Sequence, residues 1–229
     1  EERLGPALEP YRKKSFLACK TAVRDKAGAQ KELEESLKTL KTDYFDLYQL
    51  HAMTSEEDFN KAMSSDGAIE VLKDAKKKGI VRYLGFSAHS AEIAVRLMDE
   101  FDFDSVLFPL NWVCYMNGNF GPQVIEKARE KGVGRLALKA MAKTPWGKNE
   151  DRNYPKCWYK PVTEPEETNL ALRYTLSLPI TAAVPPGDIR LFKKAMDIAL
   201  EFTPLTDEEQ KKIKENVVEL EPIFKAASA

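Results

Sequence analysis

Two residues in this chain stand where an apolar run ends in a group able to do chemistry. Lys20 comes at the close of Ser15–Thr21 (SFLACKT), and His51 closes Tyr44–His51 (YFDLYQLH). Histidine is the side chain whose ordinary titration lies near neutrality. A lysine beside it supplies a fixed positive charge or, once desolvated, an amine nucleophile. Other candidates at the ends of apolar runs are Ser87 with His89, Asn111, Lys139, and the turn Pro185-Pro186-Gly187-Asp188. Each has a plainer reading: a solvated loop lysine, a helix cap, an ordinary turn. The turn precedes a helix start, where free N–H groups suit a phosphate. Asp188 opposes an anion there, while Arg190, Lys193 and Lys194 offset it. The two histidines have no acidic partner at ligand spacing, so no metal is expected.

The elements that must carry these residues alternate. Glu1–Tyr11 reads as the body of a helix, with Leu4, Ala7, Leu8 and Tyr11 at helical spacing. Helices are expected over Ala27–Lys41 and Asp66–Lys78, from a Ser90 cap, and from Gly121-Pro122, where proline takes the tolerated first position. Strands are expected over Ser15–Thr21, Tyr44–His51, Ile80–Phe86, Asp104–Asn111, Arg135–Met141 and Ile180–Val184. Lys78-Gly79-Ile80 and Lys131-Gly132-Val133 repeat one device: a cation, a glycine for the left-handed helix end, and an apolar entry to a strand. Ala142–Glu164 is expected to be a long loop on the substrate side, followed by a helix over Pro165–Leu178 and another capped by Asp188. Thr206 to Glu209 is a capping box for a last helix within 205–220.

Six near-continuous apolar strands, each followed by a helix, predict a parallel α/β sheet buried on both faces. No GxGxxG turn follows a strand, which disfavours a dinucleotide-binding open sheet and favours a TIM (β/α)8 barrel. Such a barrel needs eight strands. The expectation is one barrel across residues 1–229 that supplies six strands and the helix preceding them, with the first strand-helix-strand segment lying before Glu1.

Composition bounds the partners. Lys and Arg number 35 against 36 Asp and Glu, so no basic field is present to hold nucleic acid or an anionic membrane. The most apolar stretch, Val106–Met116, is interrupted by Pro109 and Asn111 and is too short to span a bilayer. Cys19, Cys114 and Cys157 form an odd, scattered set with no CxxC pair, which suggests neither a disulfide framework nor a zinc site. A cytoplasmic setting is expected.

ACKT, LEESLKTLKTDYFDLYQLH, RYLGFSAHS and FPLNW, in this order, resemble the aldo-keto reductase superfamily, and GFSAH with LALKAMA resembles a bacterial branch of it. The resemblance implies a nicotinamide-dependent barrel with an Asp, Tyr, Lys, His tetrad. Lys20 matches the lysine and His51 the histidine; the aspartate and tyrosine would lie just upstream of Glu1. Ser87 and Asn111 match contacts to the nicotinamide carboxamide, although the asparagine that usually follows the serine is Ala88 here. Lys139 or Leu138 takes the position packing on the nicotinamide face, and Gly187 lies in the adenosine-phosphate loop. The implied cofactor is NADP(H) ahead of NAD(H), and the implied substrate a small carbonyl or alcohol. In such a tetrad the lysine favours ionisation of the tyrosine that donates a proton to the developing alkoxide, and a neutral histidine orients the substrate oxygen. Two other readings stay open: a non-catalytic nicotinamide-binding barrel acting as regulatory or scaffold subunit, and a barrel lyase or aldolase using Lys20 as a Schiff-base nucleophile.

Overall fold

A computed structural model describes residues 1–226. Its hydrogen-bonded strands form a six-stranded sheet in the order β1 (Ala18–Thr21), β2 (Phe45–Met53), β3 (Val81–Ala88), β4 (Ser105–Pro109), β5 (Gly134–Leu138), β8 (Ala182–Val184), with a separate two-stranded sheet of β6 (Ala142–Pro145) and β7 (Tyr159–Pro161). Alternation of strands and helices with sequential neighbours is the α/β plan of the (β/α)8 barrel, of which these residues supply six strands. Contacts group the chain into two compact units, residues 1–106 with 131–133, and residues 107–130 with 134 onward.

The first unit begins with α1 (Leu4–Leu8), continued by a 3-10 segment through Lys14 rather than by one helix to Tyr11. Pro10 sits in the first turn of that segment, where it withholds an N–H that the α ladder would need. Then come β1 (Ala18–Thr21), α2 (Lys26–Thr39) and β2 (Phe45–Met53). The Asp25 side chain accepts from Gly28 N and opens α2, which buries Ala29, Leu33 and Ser36. β1 pairs parallel with β2, setting Lys20 opposite Gln49 and Thr21 opposite Leu50. Next are α3 (Glu56–Ala62), α4 (Ala68–Lys77), β3 (Val81–Ala88) and α5 (Ala91–Glu100). Ser90 caps α5 as expected, accepting from Ile93 N. β4 (Ser105–Pro109) starts in this unit at Ser105 and Val106 and ends in the other.

At its amino-terminal end β2 is fixed by one carboxylate. Asp46 accepts from Arg12 Nη1 at 3.0 Å, from Leu17 N at 2.9 Å and from Arg82 Nη1 at 2.9 Å. Arg12 also donates to Thr42 Oγ1, Ser15 O and Tyr44 O, and its guanidinium lies 3.8 Å from the Tyr44 ring centroid. This knot ties the segment before β1 to β2 and so supports the register between the two strands.

In the second unit Asn111 is not the end of a strand. It caps α6 (Trp112–Met116), a turn of helix absent from the sequence-based expectation. α7 (Pro122–Glu130), β5 (Gly134–Leu138), β6 (Ala142–Pro145) and β7 (Tyr159–Pro161) follow. β6 and β7 pair antiparallel, Ala142 with Pro161 and Pro145 with Tyr159, so the expected loop over 142–164 holds two short strands that flank a loop at 146–158. Then come α8 (Pro165–Ser177), β8 (Ala182–Val184), α9 (Ile189–Leu200) and α10 (Asp207–Val217). β8 pairs parallel with β5. The Thr206/Glu209 capping box is present at α10, which spans less than the expected 205–220. Trp112, Met141, Cys157, Val162 and Leu170 are in the core of this unit.

Gly79 and Gly132 have φ of 75° and 69°, the left-handed helix ends that the repeated Lys-Gly-apolar pattern requires. All three cysteines are buried free thiols. Among the described residues, no helix is long and apolar enough to cross a membrane and no group of His, Cys, Asp or Glu is placed to hold a metal.

Candidate active site

In the first unit the strand register decides which side chains share a face. Lys20 is opposite Gln49, and Gln49 is opposite Gly85. Laterally paired residues project to the same side of a sheet, as do residues two apart along a strand. Lys20, Gln49 and His51 therefore share one face at the carboxyl edge of consecutive strands, where barrel enzymes place their reacting groups. Spacing of ~4.8 Å between strands and ~3.3 Å per residue sets the Lys20 and His51 Cα atoms roughly 8 Å apart. Both side chains are exposed, whereas Gln49 between them is buried. Sequence reasoning missed Gln49, although a glutamine two residues before a strand-ending histidine must lie on the histidine's face.

Surrounding protein strips water from the Lys20 ammonium and lowers its pKa below the ordinary lysine value, with the adjacent Cys19 acting in the other direction. Lys20 also borders an open cavity of 570 Å³, with Glu1, Glu2, Arg3, Glu32, Glu35, Ser36 and Thr39.

Ser87 is buried near the end of β3, and its Oγ accepts from Ala52 N at 2.7 Å. It is thus a support for the chain just beyond His51, and its hydroxyl proton is still available for donation. His89 lies past the end of β3, its N–H directed at Met53 O at 3.4 Å.

The remaining candidates belong to the second unit. Asn111 is fully buried; its Oδ1 accepts from Cys114 N at 2.9 Å and its Nδ2 faces Cys114 Sγ at 3.4 Å. The carbonyl half of this amide is committed to capping, and the NH2 half meets only a weak acceptor. Lys139, just after β5, has φ of 61°, and its ammonium lies 5.6 Å from the Trp158 ring centroid and 5.4 Å from that of Phe224. Gly187 lies in an open turn: a Cβ built on it meets nothing within 4 Å. Asp188 caps α9, and Arg190 folds back onto it, Nε to Oδ1 at 3.0 Å and Nη2 to Oδ2 at 2.9 Å. That pairing, led by the Arg190 hydrogen bond, holds the Asp188 carboxyl down at about 2. Lys194 donates to Thr163 O at 2.7 Å. Two of the cations expected to offset Asp188 are therefore already engaged, and the turn offers an anion mainly its backbone.

The sequence model of the aldo/keto reductase family matches residues 1–184, and the chain belongs to that family. It is 25% identical over 255 residues to "Uncharacterized oxidoreductase YqkF" of Bacillus subtilis (strain 168), across 99% of this chain and 81% of that protein. It is 34% identical over 104 residues to "Aldo-keto reductase YhdN" of the same organism, covering 40% of this chain and 30% of that one. Among solved structures, the aldo-keto reductase AKR11C1 of Bacillus halodurans (holo form) superposes with a TM-score of 0.67 at 23% identity, over 100% of this chain and 79% of that chain. Bombyx mori aldo-keto reductase AKR2E4 in complex with NADP gives 0.62 at 20% identity, over 93% and 74%. These likenesses agree with the six-strand barrel plan.

Taken unit by unit, the donors suit an amide ligand: in the first, Ser87 keeps a proton to give, and in the second, the Asn111 NH2 group has capacity left. The adenosine end fits less well, since Gly187 needs no glycine-only approach and the nearby Arg190 and Lys194 are occupied.

Proposed function

We propose that this protein is a nicotinamide-dependent oxidoreductase that interconverts a small carbonyl compound and its alcohol. The observation that carries the reading is the strand register: it brings Lys20 and His51 to one face of adjacent strand ends, with Ser87 beyond them. Family membership and the oxidoreductase description of YqkF support it. In the first unit Ser87 is proposed as a carboxamide donor; within the second unit Asn111, Lys139 and the N–H groups of the Gly187 turn are proposed as cofactor contacts, each on its own surroundings. NADP(H) is proposed ahead of NAD(H), in keeping with the NADP complex of the Bombyx mori relative. When bound, the nicotinamide supplies or accepts the hydride.

The chain's own residues do the rest. Lys20 places a positive charge near the site of the developing alkoxide, where a fixed cation in a partly desolvated setting is worth more than in water. His51 donates a hydrogen bond from an imidazole N–H to the substrate oxygen and orients the carbonyl.

Lys20→Met tests the reading. Reduction of a model aldehyde should fall by about a hundredfold or more, the usual loss for a catalytic electrostatic contact. Binding of NADPH, followed by tryptophan quenching or a raised melting temperature, should persist. Turnover within a few-fold of the parent would remove Lys20 from the mechanism, and no response of the parent to either NADPH or NADH would sink the cofactor assignment. The lowered pKa of Lys20 also suits a Schiff-base lysine; borohydride trapping of a carbonyl on Lys20 would favour that chemistry over reduction.

A further inference from the structure

The backbone immediately after His51 is irregular in a specific way. Leu50 pairs with Phe86 and Met53 with Ala88, so His51 and Ala52 together oppose Ser87 alone. Two residues facing one is a bulge, a device that re-aims side chains. Ala52, moreover, has φ of 51°, a left-handed conformation that residues with a Cβ avoid. Such a conformation persists only where its surroundings over-determine it.

Three hydrogen bonds do so. Ala52 N donates to Ser87 Oγ at 2.7 Å, while Ala52 O accepts from Arg24 Nη2 at 3.2 Å and from Thr54 Oγ1 at 3.3 Å. Arg24 is itself fixed, with Nε to Asp58 Oδ1 at 2.7 Å and Nη1 to Ala22 O at 3.3 Å. Burial alone would raise the Asp58 pKa, yet the bonds from Arg24, Ser55 and Thr54 bring it below the ordinary value, so the carboxylate stays charged opposite the guanidinium. Arg24 is only 14% exposed at its side chain, and it touches the carbonyl two residues past Lys20 and the one immediately past His51. Only the planar fork of an arginine can hold both carbonyls and the carboxylate at once.

We propose that Arg24 is a positioning residue for His51: bridging Asp58 and the carbonyls of Ala22 and Ala52, it locks the left-handed bulge that aims the imidazole and couples its placement to the Lys20 strand. Ser87 completes the lock from the amide side. The proposal rests on His51 being the working histidine of the site.

The protein holds only two histidines, so a His89→Gln variant assigns both imidazole resonances at once. In Arg24→Met the His51 resonances should shift and broaden while those of His89 stay in place. With a substrate in hand, kcat should fall by about 10- to 100-fold, the usual effect of misplacing a group by about an ångström, with cofactor affinity unchanged. A folded Arg24→Met protein whose His51 resonances superpose on the parent's would overturn the proposal. Should that variant fail to fold, Ser87→Ala gives the decision. It removes the acceptor of the Ala52 N–H while leaving Arg24 in place, so the strained bulge should relax and the His51 lines should shift or broaden. Unchanged lines there would equally refute the lock. The resonance readout needs no turnover, so it stands apart from any failure of the oxidoreductase reading.

Discussion

Replacing Asp46 by alanine should be among the most damaging single changes in the first unit. The carboxylate is 5% exposed and meets an Arg12 side chain that is 10% exposed. Removing one partner of a buried ion pair typically costs about 3–5 kcal/mol, because the other charge is left uncompensated. Arg12 would keep Thr42 Oγ1, Ser15 O, Tyr44 O and the Tyr44 ring, which argues for the lower end of that range. The Leu17 N–H, by contrast, would lose its Asp46 Oδ2 acceptor, and an orphaned buried donor costs about 1–3 kcal/mol. Arg82 is 61% exposed and adds little. A net loss of about 4–6 kcal/mol follows, corresponding for a protein of this size to a fall in Tm of roughly 10–20 °C. Urea unfolding measures the loss, and amide exchange over residues 17–21 shows where it acts. A loss below about 1 kcal/mol, or unaltered exchange in β1, would refute the claim that Asp46 fixes the strand carrying Lys20.

Two further outcomes concern the second unit and the helix ends. Arg173 grips Glu209 through both carboxylate oxygens, at 2.6 and 3.0 Å, and that bond holds the Glu209 carboxyl down at about 2. A depressed folded-state pKa means the unfolded chain binds the proton first, so this contribution is complete above about pH 4.5 and is lost as pH falls toward 2. Urea midpoints between pH 5 and 2 should therefore fall less steeply in Glu209→Gln than in the parent; parallel curves would contradict the assignment. Gly79→Ala and Gly132→Ala should each cost only about 1 kcal/mol, since a Cβ there meets nothing within 4 Å and only the left-handed φ is penalised. Gly67→Ala should cost visibly more in the same urea assay, its Cβ falling 2.3 Å from Ala62 O.

The strands and caps were readable because their signals are local. Apolar runs, the Lys-Gly-apolar helix ends, Ser90, Asp188 and the Thr206–Glu209 box all act within a few residues, and each is found where expected. The α3 helix was overlooked although Ser55 followed by Glu56, Glu57 and Asp58 is a sound start signal, and Ser55 does accept from Asp58 N. Asn111 closes an apolar run, a strand-end signal, yet its side chain caps a helix. The β6–β7 hairpin was beyond local reading: its strands are 4 and 3 residues long and their pairing depends on partners far apart in sequence. Lys20 and His51 were visible as strand ends, but their shared face required the register. The bulge at Ala52 left no trace, since alanine is among the last residues one would assign a left-handed φ.

Strand β2 carries its anchoring carboxylate at one end and its histidine at the other. Five residues of extended chain put Asp46 and His51 roughly 17 Å apart, beyond the range over which substitution effects usually fail to add. A variant library could therefore alter the loops beyond His51 in search of new substrates without drawing on the stability that Asp46 provides. Selection for a changed pocket and selection for a tougher scaffold can proceed on this one strand separately, and their gains can be combined afterwards.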